Sequence, residues 1–223
     1  MNSLLAQSIA PCHAADAPTS RSARALRYLA LGDSYTIGES VGAEQRWPVQ
    51  LAARLREHGL AVGEPQIIGR TGWTTDELSA AIDQAAPSGP FNLVSLLIGV
   101  NNQYRGLDSA EYRVEFRALL QRAIGFTGGR PGRVIVLSIP DWGATPFAAG
   151  RDRGRVAAEI DTFNAINRAE AERAGARYVD ITAESRTAAA DQALIAGDGL
   201  HPSGKMYAQW VDLALPQALA ALA

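Results

Sequence analysis

The segment Ala25-Leu26-Arg27-Tyr28-Leu29-Ala30-Leu31 runs directly into Gly32-Asp33-Ser34-Tyr35. A short, mostly apolar run that stops at a glycine is typical of a buried β-strand, and we expect the glycine to adopt backbone angles that other residues avoid. A serine just past a strand lies at the rim of a sheet, where its hydroxyl can face a cleft. Ser34 is therefore a candidate nucleophile, although a helix N-cap or a turn is the simpler explanation of one such serine taken alone.

Strand-like and helix-like segments alternate along the rest of the chain. The apolar runs predict strands over residues 26–31, 65–69, 93–98, 134–139 and 176–180. Amphipathic segments predict helices over residues 47–58, 75–85, 109–125, 151–174 and 203–219. Gly59 and Gly175 fall just past two of these helices, where a left-handed cap is favoured. Strands separated by helices predict an α/β fold in which helices cover both faces of a parallel sheet.

The composition of the chain limits the classes of protein to which it can belong. The chain has 223 residues, 47% of them apolar, which suits one sizeable domain over residues 26–223. Its net charge is −2, and the basic residues, all arginine except Lys205, are dispersed, which disfavours a nucleic-acid partner. Cys12 is the single cysteine, so no intramolecular disulfide forms. The spacing of the three histidines predicts no metal site, and no apolar stretch is long enough to span a membrane.

Residues 1–25 allow two interpretations. An apolar stretch over residues 4–10 and the small residues Ala15-Asp16-Ala17 resemble a secretory signal with its cleavage site, but no positive charge precedes them. The segment is either the remnant of an export signal, which would place the protein in the periplasm or outside the cell, or a disordered extension of a cytoplasmic protein.

Polar residues follow the predicted strands at their carboxyl ends, where open parallel sheets bind ligands. Arg70-Thr71-Gly72-Trp73 follows the second strand, Gly99-Val100-Asn101-Asn102 the third, and Asp141-Trp142 the fourth. Three donors could together stabilise an oxyanion: the backbone N–H groups of Ser34 and Gly72 and the side chain of Asn101. Taken singly, Gly72 is more simply explained as a turn glycine, and Asn101 can be a loop residue that tolerates left-handed geometry.

A serine nucleophile needs a base, and the base needs a group that orients it. His13 lies in the N-terminal segment, and His58 lies at a predicted helix end, which leaves His201 as the candidate base. Asp198 precedes His201 by three residues and can hold one imidazole nitrogen. A loop histidine and a turn aspartate remain the simpler explanations of each residue taken alone.

These segments together resemble the SGNH-hydrolase family, also called the GDSL esterases and lipases. The similarity runs from about Tyr28 to the C-terminus and is carried by Gly32-Asp33-Ser34-Tyr35, Gly69-Arg70-Thr71-Gly72, Gly99-Val100-Asn101-Asn102 and Asp198-Gly199-Leu200-His201. Two residues depart from the family motif: Tyr35 stands where the motif has Leu, and Asn102 stands where Asp is commoner. Neither takes part in a proposed proton transfer, so we expect these departures to affect how the substrate fits rather than catalysis.

The resemblance implies a three-layer α/β/α sandwich around a central five-stranded parallel sheet, of the flavodoxin-like kind. It also implies a triad of Ser34, His201 and Asp198, and an oxyanion hole formed by Ser34, Gly72 and Asn101, with Gly69 as a rival for Gly72. It implies no cofactor.

The function expected is that of a serine esterase that hydrolyses a small-molecule carboxylic ester through an acyl-enzyme. An acyltransferase, a thioesterase or a lysophospholipase would use the same triad, and a non-catalytic binding module is a further alternative. Aromatic residues in loops near the predicted cleft either bound a substrate pocket or pack at its rim; they are Trp73, Tyr104, Trp142 and Phe147. The oligomeric state stays open.

Overall fold

The structure is a computed structural model that describes residues 25–223. Its centre is a sheet of five parallel strands in the order β2-β1-β3-β4-β5. The strands are β1 Tyr28–Asp33, β2 Gln66–Arg70, β3 Leu93–Leu97, β4 Val134–Leu137 and β5 Arg177–Val179. All five predicted strands are confirmed, each displaced by at most a few residues.

Eight α-helices and several short 3-10 turns connect the strands within the described residues. The helices are α1 Ser34–Ile37, α2 Trp47–Glu57, α3 Thr75–Ala85, α4 Val100–Tyr104, α5 Ser109–Phe126, α6 Arg153–Ala174, α7 Thr182–Arg186 and α8 Gly204–Leu222. The five predicted helices correspond to α2, α3, α5, α6 and α8. The short helices α1, α4 and α7 were not predicted.

Local signals explain where the long helices begin and end. Thr74 and Glu77 form a reciprocal capping box at the start of α3, and the Asp108 carboxylate accepts hydrogen bonds from two backbone N–H groups in the first turn of α5. Gly175 ends α6 in a left-handed conformation with φ of 75°, as predicted.

Gly32 is required for a reason other than the one expected. Its φ is not positive; instead, a Cβ at this position would collide with the side chain of Thr36 and the backbone carbonyl of Leu97. The missing side chain lets α1 fold back tightly against β1 and lets β3 lie close beside it. Gly32 thus permits close packing rather than an unusual backbone angle.

Helices cover both faces of the sheet. On one face α2 packs against α8. On the other face α5 lies between α3 and α6 and packs against both. β1 and β3 are fully buried, and bulky aromatic side chains such as Trp47, Trp210 and Phe116 fill the space between sheet and helices. The three-layer α/β/α sandwich is therefore confirmed.

The strand order reverses beside β1. From β1 the chain goes to β2 at one edge, and then crosses back to β3 on the other side of β1. In open α/β sheets a crevice forms outside the carboxyl ends of the strands at such a reversal, and ligands bind there. The end of β1, which leads into Ser34, lies at this point.

The expectation of an N-terminal signal or extension falls on residues that, apart from Ala25, lie outside the described part of the chain. Of the helices in residues 25–223, none combines the length and apolarity that crossing a bilayer requires. Within the same residues, no three His, Cys, Asp or Glu side chains are grouped so as to hold a metal ion.

Candidate active site

A cavity of about 150 Å³ lies at the carboxyl ends of β1, β2 and β3. It brings together side chains that are far apart in sequence. Its walls are formed by Ser34, Tyr35, Thr71, Gly72, Val100, Asn101, Tyr104, Trp142, Phe147, Leu200 and His201. The candidate nucleophile, the candidate base and two of the candidate oxyanion donors therefore share one small space.

Ser34 is fixed by the junction of a strand and a helix. β1 ends at Asp33, and α1 begins at the next residue without an intervening loop. The N-cap of this helix is Asp33, whose Oδ1 accepts a hydrogen bond from the Tyr35 N–H at 3.0 Å. As the first residue of a helix, Ser34 has a backbone N–H with no partner inside that helix. An N–H at this position is the kind of donor that an oxyanion hole uses.

Asp198 and His201 form a close pair. The Asp198 Oδ2 lies 2.6 Å from His201 Nδ1, and its Oδ1 accepts hydrogen bonds from the backbone N–H groups of Leu200 and His201, both at 2.9 Å. Partial burial acts to raise the pKa of Asp198, but hydrogen bonds from His201, Leu200 and Ser40 outweigh it and hold the pKa well below its usual value. Because the carboxylate is ionised, Nδ1 donates and Nε2 of the neutral ring is left to accept a proton.

Within residues 25–223, no hydrogen bond joins the Ser34 hydroxyl to the His201 ring, although both line the cavity. Hydrogen bonds between a nucleophile and its base are often long without substrate and tighten when it binds. The pair therefore has the shared location, but not the direct contact, of a working nucleophile and base.

The candidate oxyanion donors lie on two neighbouring loops. Gly72 adopts φ of 85°, a left-handed conformation that favours glycine. The Asn101 Nδ2 donates to the backbone carbonyl of Trp73 at 2.9 Å, which fixes the amide and leaves its second N–H. Gly69, in contrast, lies inside β2 beside Gly32, where a Cβ would be in tight contact, at 3.0–3.2 Å, with the carbonyl oxygens of Gly32 and Asp33.

Asn102 makes different contacts from Asn101. It is buried, its Oδ1 accepts from the Thr75 backbone N–H at 3.1 Å, and its Nδ2 donates to the Thr75 hydroxyl at 2.7 Å. Adjacent asparagines on α4 therefore have different surroundings: Asn101 lines the cavity, and Asn102 holds the start of α3.

Three of the four candidate substrate-binding aromatics line the cavity. The rings of Tyr104 and Trp142 lie 5.3 Å apart edge to face, and Phe147 lies about 6 Å from both. Trp142 is held by a 2.8 Å hydrogen bond from its Nε1 to Gln103. Trp73 does not line the cavity; its side chain packs against the core, and only its carbonyl contacts Asn101.

A second, larger cavity of about 850 Å³ adjoins the first, and Tyr104 and Trp142 line both spaces. It is more polar than the first, because Asp108, Arg151 and Arg155 are among its lining residues. The two aromatic residues thus form a wall that the small apolar cavity shares with the wide polar one.

Two residues near the site were not singled out from the sequence. Ser40 donates from its Oγ to Asp198 Oδ2 at 2.7 Å, across 158 residues of sequence, and no local pattern indicates such a contact. Asp33 is fully buried, its Oδ2 has no partner among the described residues, and burial raises its pKa to about 7. Its place between Gly32 and Ser34 marks it as part of a motif but does not reveal a buried carboxyl group.

The fold is shared with proteins of known structure. No curated protein sequence matches the chain. Among solved structures, TesA superposes with a TM-score of 0.69 at 19% identity, over 88% of this chain and 99% of TesA. Axe2, an acetylxylan esterase from Geobacillus stearothermophilus, gives a TM-score of 0.67 at 19% identity, over 86% of this chain and 94% of Axe2.

The psychrotrophic esterase EstA from Pseudoalteromonas sp. is similar with a TM-score of 0.61 at 17% identity, over 86% of this chain and 95% of EstA. At these identities the three likenesses show a shared fold. The sequence profile of the GDSL-like lipase/acylhydrolase family matches residues 30–209, which include every residue discussed above as nucleophile, base or oxyanion donor. The chain therefore belongs to the GDSL-like lipase/acylhydrolase family, a family of ester hydrolases.

Proposed function

We propose that this protein is a serine esterase that hydrolyses carboxylic esters through a covalent acyl-enzyme. The observation that carries the proposal is the meeting of Ser34 and His201 in one 150 Å³ cavity, with Asp198 Oδ2 2.6 Å behind the His201 ring. A hydroxyl, an imidazole and a carboxylate in that order are the parts that activate a serine for attack on an acyl group.

The first half-reaction transfers the acyl group to the enzyme. Ser34 Oγ attacks the carbonyl carbon of the ester while its proton passes to His201 Nε2. The tetrahedral intermediate then collapses, the bond from carbon to the alcohol oxygen breaks, and Nε2 returns the proton to the departing alcohol. Asp198 holds the tautomer in which Nε2 can accept, and it stabilises the positive charge that the ring acquires.

The second half-reaction releases the acid. Water attacks the acyl-enzyme and gives a proton to His201 Nε2, and the collapse of the second intermediate returns that proton to Ser34 Oγ. Negative charge on the former carbonyl oxygen is stabilised in both steps by the N–H groups of Ser34 and Gly72 and by the side chain of Asn101. Preorganised donors of this kind are effective because they need no rearrangement as the charge develops.

The size of the cavity favours a short acyl group. An apolar cavity of about 150 Å³ in another protein holds one benzene molecule, which has six carbon atoms. By that measure the cavity beside Ser34, of about 150 Å³, accommodates an acyl chain of roughly six carbons or fewer.

The test is the loss of covalent chemistry in Ser34→Ala. Wild-type protein should hydrolyse 4-nitrophenyl acetate and gain the mass of one fluorophosphonate adduct, and Ser34→Ala should lose the labelling and several orders of magnitude in kcat. The control is Ser88→Ala, which removes an exposed hydroxyl outside the cavity. Near-normal turnover by folded Ser34→Ala would reject the proposal. A competing alcohol in the assay would distinguish hydrolysis from acyl transfer through its ester product.

A further inference from the structure

The turn over residues 38–42, which follows α1, has an unusual backbone conformation. Gly38 and Ser40 both adopt left-handed backbone angles, with φ of 67° and 64°. Glycine reaches this region freely, but for a residue with a Cβ it is disfavoured. Non-glycine residues held in such conformations cluster at functional sites, where other contacts maintain them. The question is which contact maintains Ser40.

Ser40 donates a hydrogen bond to the carboxylate of Asp198. Its Oγ lies 2.7 Å from Oδ2, the same oxygen that accepts from His201 Nδ1. The other oxygen, Oδ1, accepts from the backbone N–H groups of Leu200 and His201. Four donors thus surround this carboxylate among the described residues.

These four donors differ in what they fix. Three belong to Leu200 and His201, which lie in the same loop as Asp198 and move with it. Ser40 alone among them comes from the other end of the chain, six positions after Ser34. Its hydrogen bond is therefore the one that relates the Asp198 carboxylate to the segment that carries the nucleophile.

The neighbouring residue makes a second connection of the same kind. The Glu39 carboxylate accepts a hydrogen bond from the hydroxyl of Thr71, which precedes Gly72 in the loop after β2. Consecutive side chains of one turn thus contact the Asp198 loop and the Gly72 loop. A left-handed residue at position 40 belongs to the turn that makes both contacts possible.

We propose that Ser40 is a positioning residue for the triad. It holds the Asp198 carboxylate, and through it the His201 ring, at the correct place relative to Ser34. Ser40 is exposed and does not line the cavity, so it acts through Asp198 rather than on the substrate. This inference rests on the proposed function, since it concerns the same three residues.

The decisive variant is Ser40→Gly, because it separates activity from stability. Glycine removes the hydroxyl but suits the left-handed backbone, so the melting temperature should stay equal or rise by roughly 2–4 °C. With 4-nitrophenyl acetate, kcat should fall about tenfold, as expected for a lost hydrogen bond to a charged group. KM should stay within about twofold, because no substrate contact is removed.

Ser40→Thr is the matched variant with the opposite signature. It keeps a hydroxyl but adds a branched side chain where the backbone is left-handed, so the melting temperature should fall while kcat stays within about threefold of wild type. A merely structural role for Ser40 would instead make kcat follow the melting temperature in both variants.

A double-mutant comparison tests whether the effect passes through Asp198. In an Asp198→Asn background, Ser40→Gly should lower kcat by less than about twofold, since coupled residues are not additive. An undiminished loss in that background, or a wild-type kcat in Ser40→Gly alone, would overturn the positioning role. If Ser34→Ala is inactive and Ser40→Gly is normal, only this inference fails; if Ser34→Ala is active, the proposed function fails first.

Discussion

At the scale of single residues, the buried carboxyl group of Asp33 has a consequence for stability. Burial raises its pKa from 3.8 to about 7, against the lowering effect of the Tyr35 backbone hydrogen bond. Between these two values the folded protein holds the proton more tightly than the unfolded chain does. The contribution of Asp33 to the free energy of unfolding therefore falls as the pH rises through this window, and it is constant above it.

We expect Asp33→Asn to remove this dependence. The amide oxygen can still accept from the Tyr35 N–H, but it does not ionise. The difference in unfolding free energy between the variant and wild type should shift in favour of the variant by up to about 4 kcal/mol between about pH 4 and pH 8. Denaturant unfolding of both proteins across this range measures the shift. A difference that stays flat with pH would show that Asp33 is ionised throughout.

At the scale of elements, α4 presents two asparagines with different contacts. Asn101→Ala removes a candidate oxyanion donor and should lower kcat/KM by about 10²–10³-fold with little change in melting temperature. Asn102→Ala leaves the buried Thr75 N–H unsatisfied and should lower the unfolding free energy by about 1–3 kcal/mol with a smaller loss of activity. Thermal unfolding and steady-state kinetics on both variants test the pair. The assignment is reversed if Asn102→Ala has the larger kinetic defect.

The long elements were predictable because their signals are local. The mostly apolar residues of β3 and the caps of α3 and α5 lie within a few positions of the structure that they specify. The helices α1, α4 and α7 span only four or five residues, too few for a periodic pattern to be recognised. The prediction of α8 stopped at residue 219, whereas the helix continues past Pro216 to Leu222.

The part of the site that could be predicted is the part that the strand topology alone brings together. Parallel strands place Ser34, Gly72 and Asn101 at one edge of the sheet, whatever their side-chain contacts. The contact between Ser40 and Asp198 depends on a turn geometry that no spacing rule specifies. Trp73 was expected near the substrate because it follows β2, but its side chain packs against the core. The catalytic roles themselves stay predictions until the variants are measured.

At the scale of the whole molecule, the wall between the two cavities should set the acyl specificity. Tyr104 lines both spaces and is 46% exposed, whereas Trp142 is buried and held by Gln103. In wild type, kcat/KM for 4-nitrophenyl esters should fall beyond about six carbons. Tyr104→Ala should join the two cavities. The ratio of kcat/KM for the octanoate ester to kcat/KM for the acetate ester should then rise about tenfold, because roughly two more methylene groups of the longer chain become buried.

Tyr104→Phe is the control, because it keeps the ring and should keep the wild-type ratio. An unchanged ratio in Tyr104→Ala would mean that the acyl group does not lie against this wall. An equal rise in Tyr104→Phe would assign the effect to the hydroxyl instead.

An early helix and the last helix of the described chain meet where α2 packs against α8. Gln50 donates to the Gly204 carbonyl at 3.1 Å, and Arg54 pairs with Asp212 at 2.7 Å. Because the ribosome makes the chain from its N-terminus, the segment that carries Ser34 is synthesised long before the segment that carries Asp198 and His201. On the proposed mechanism, a growing chain that carries only Ser34 should have no esterase activity, because the proposed base His201 has yet to be synthesised. On the same mechanism, turnover during translation or refolding should appear only once α8 has packed against α2 and the loop with Asp198 and His201 lies beside Ser34.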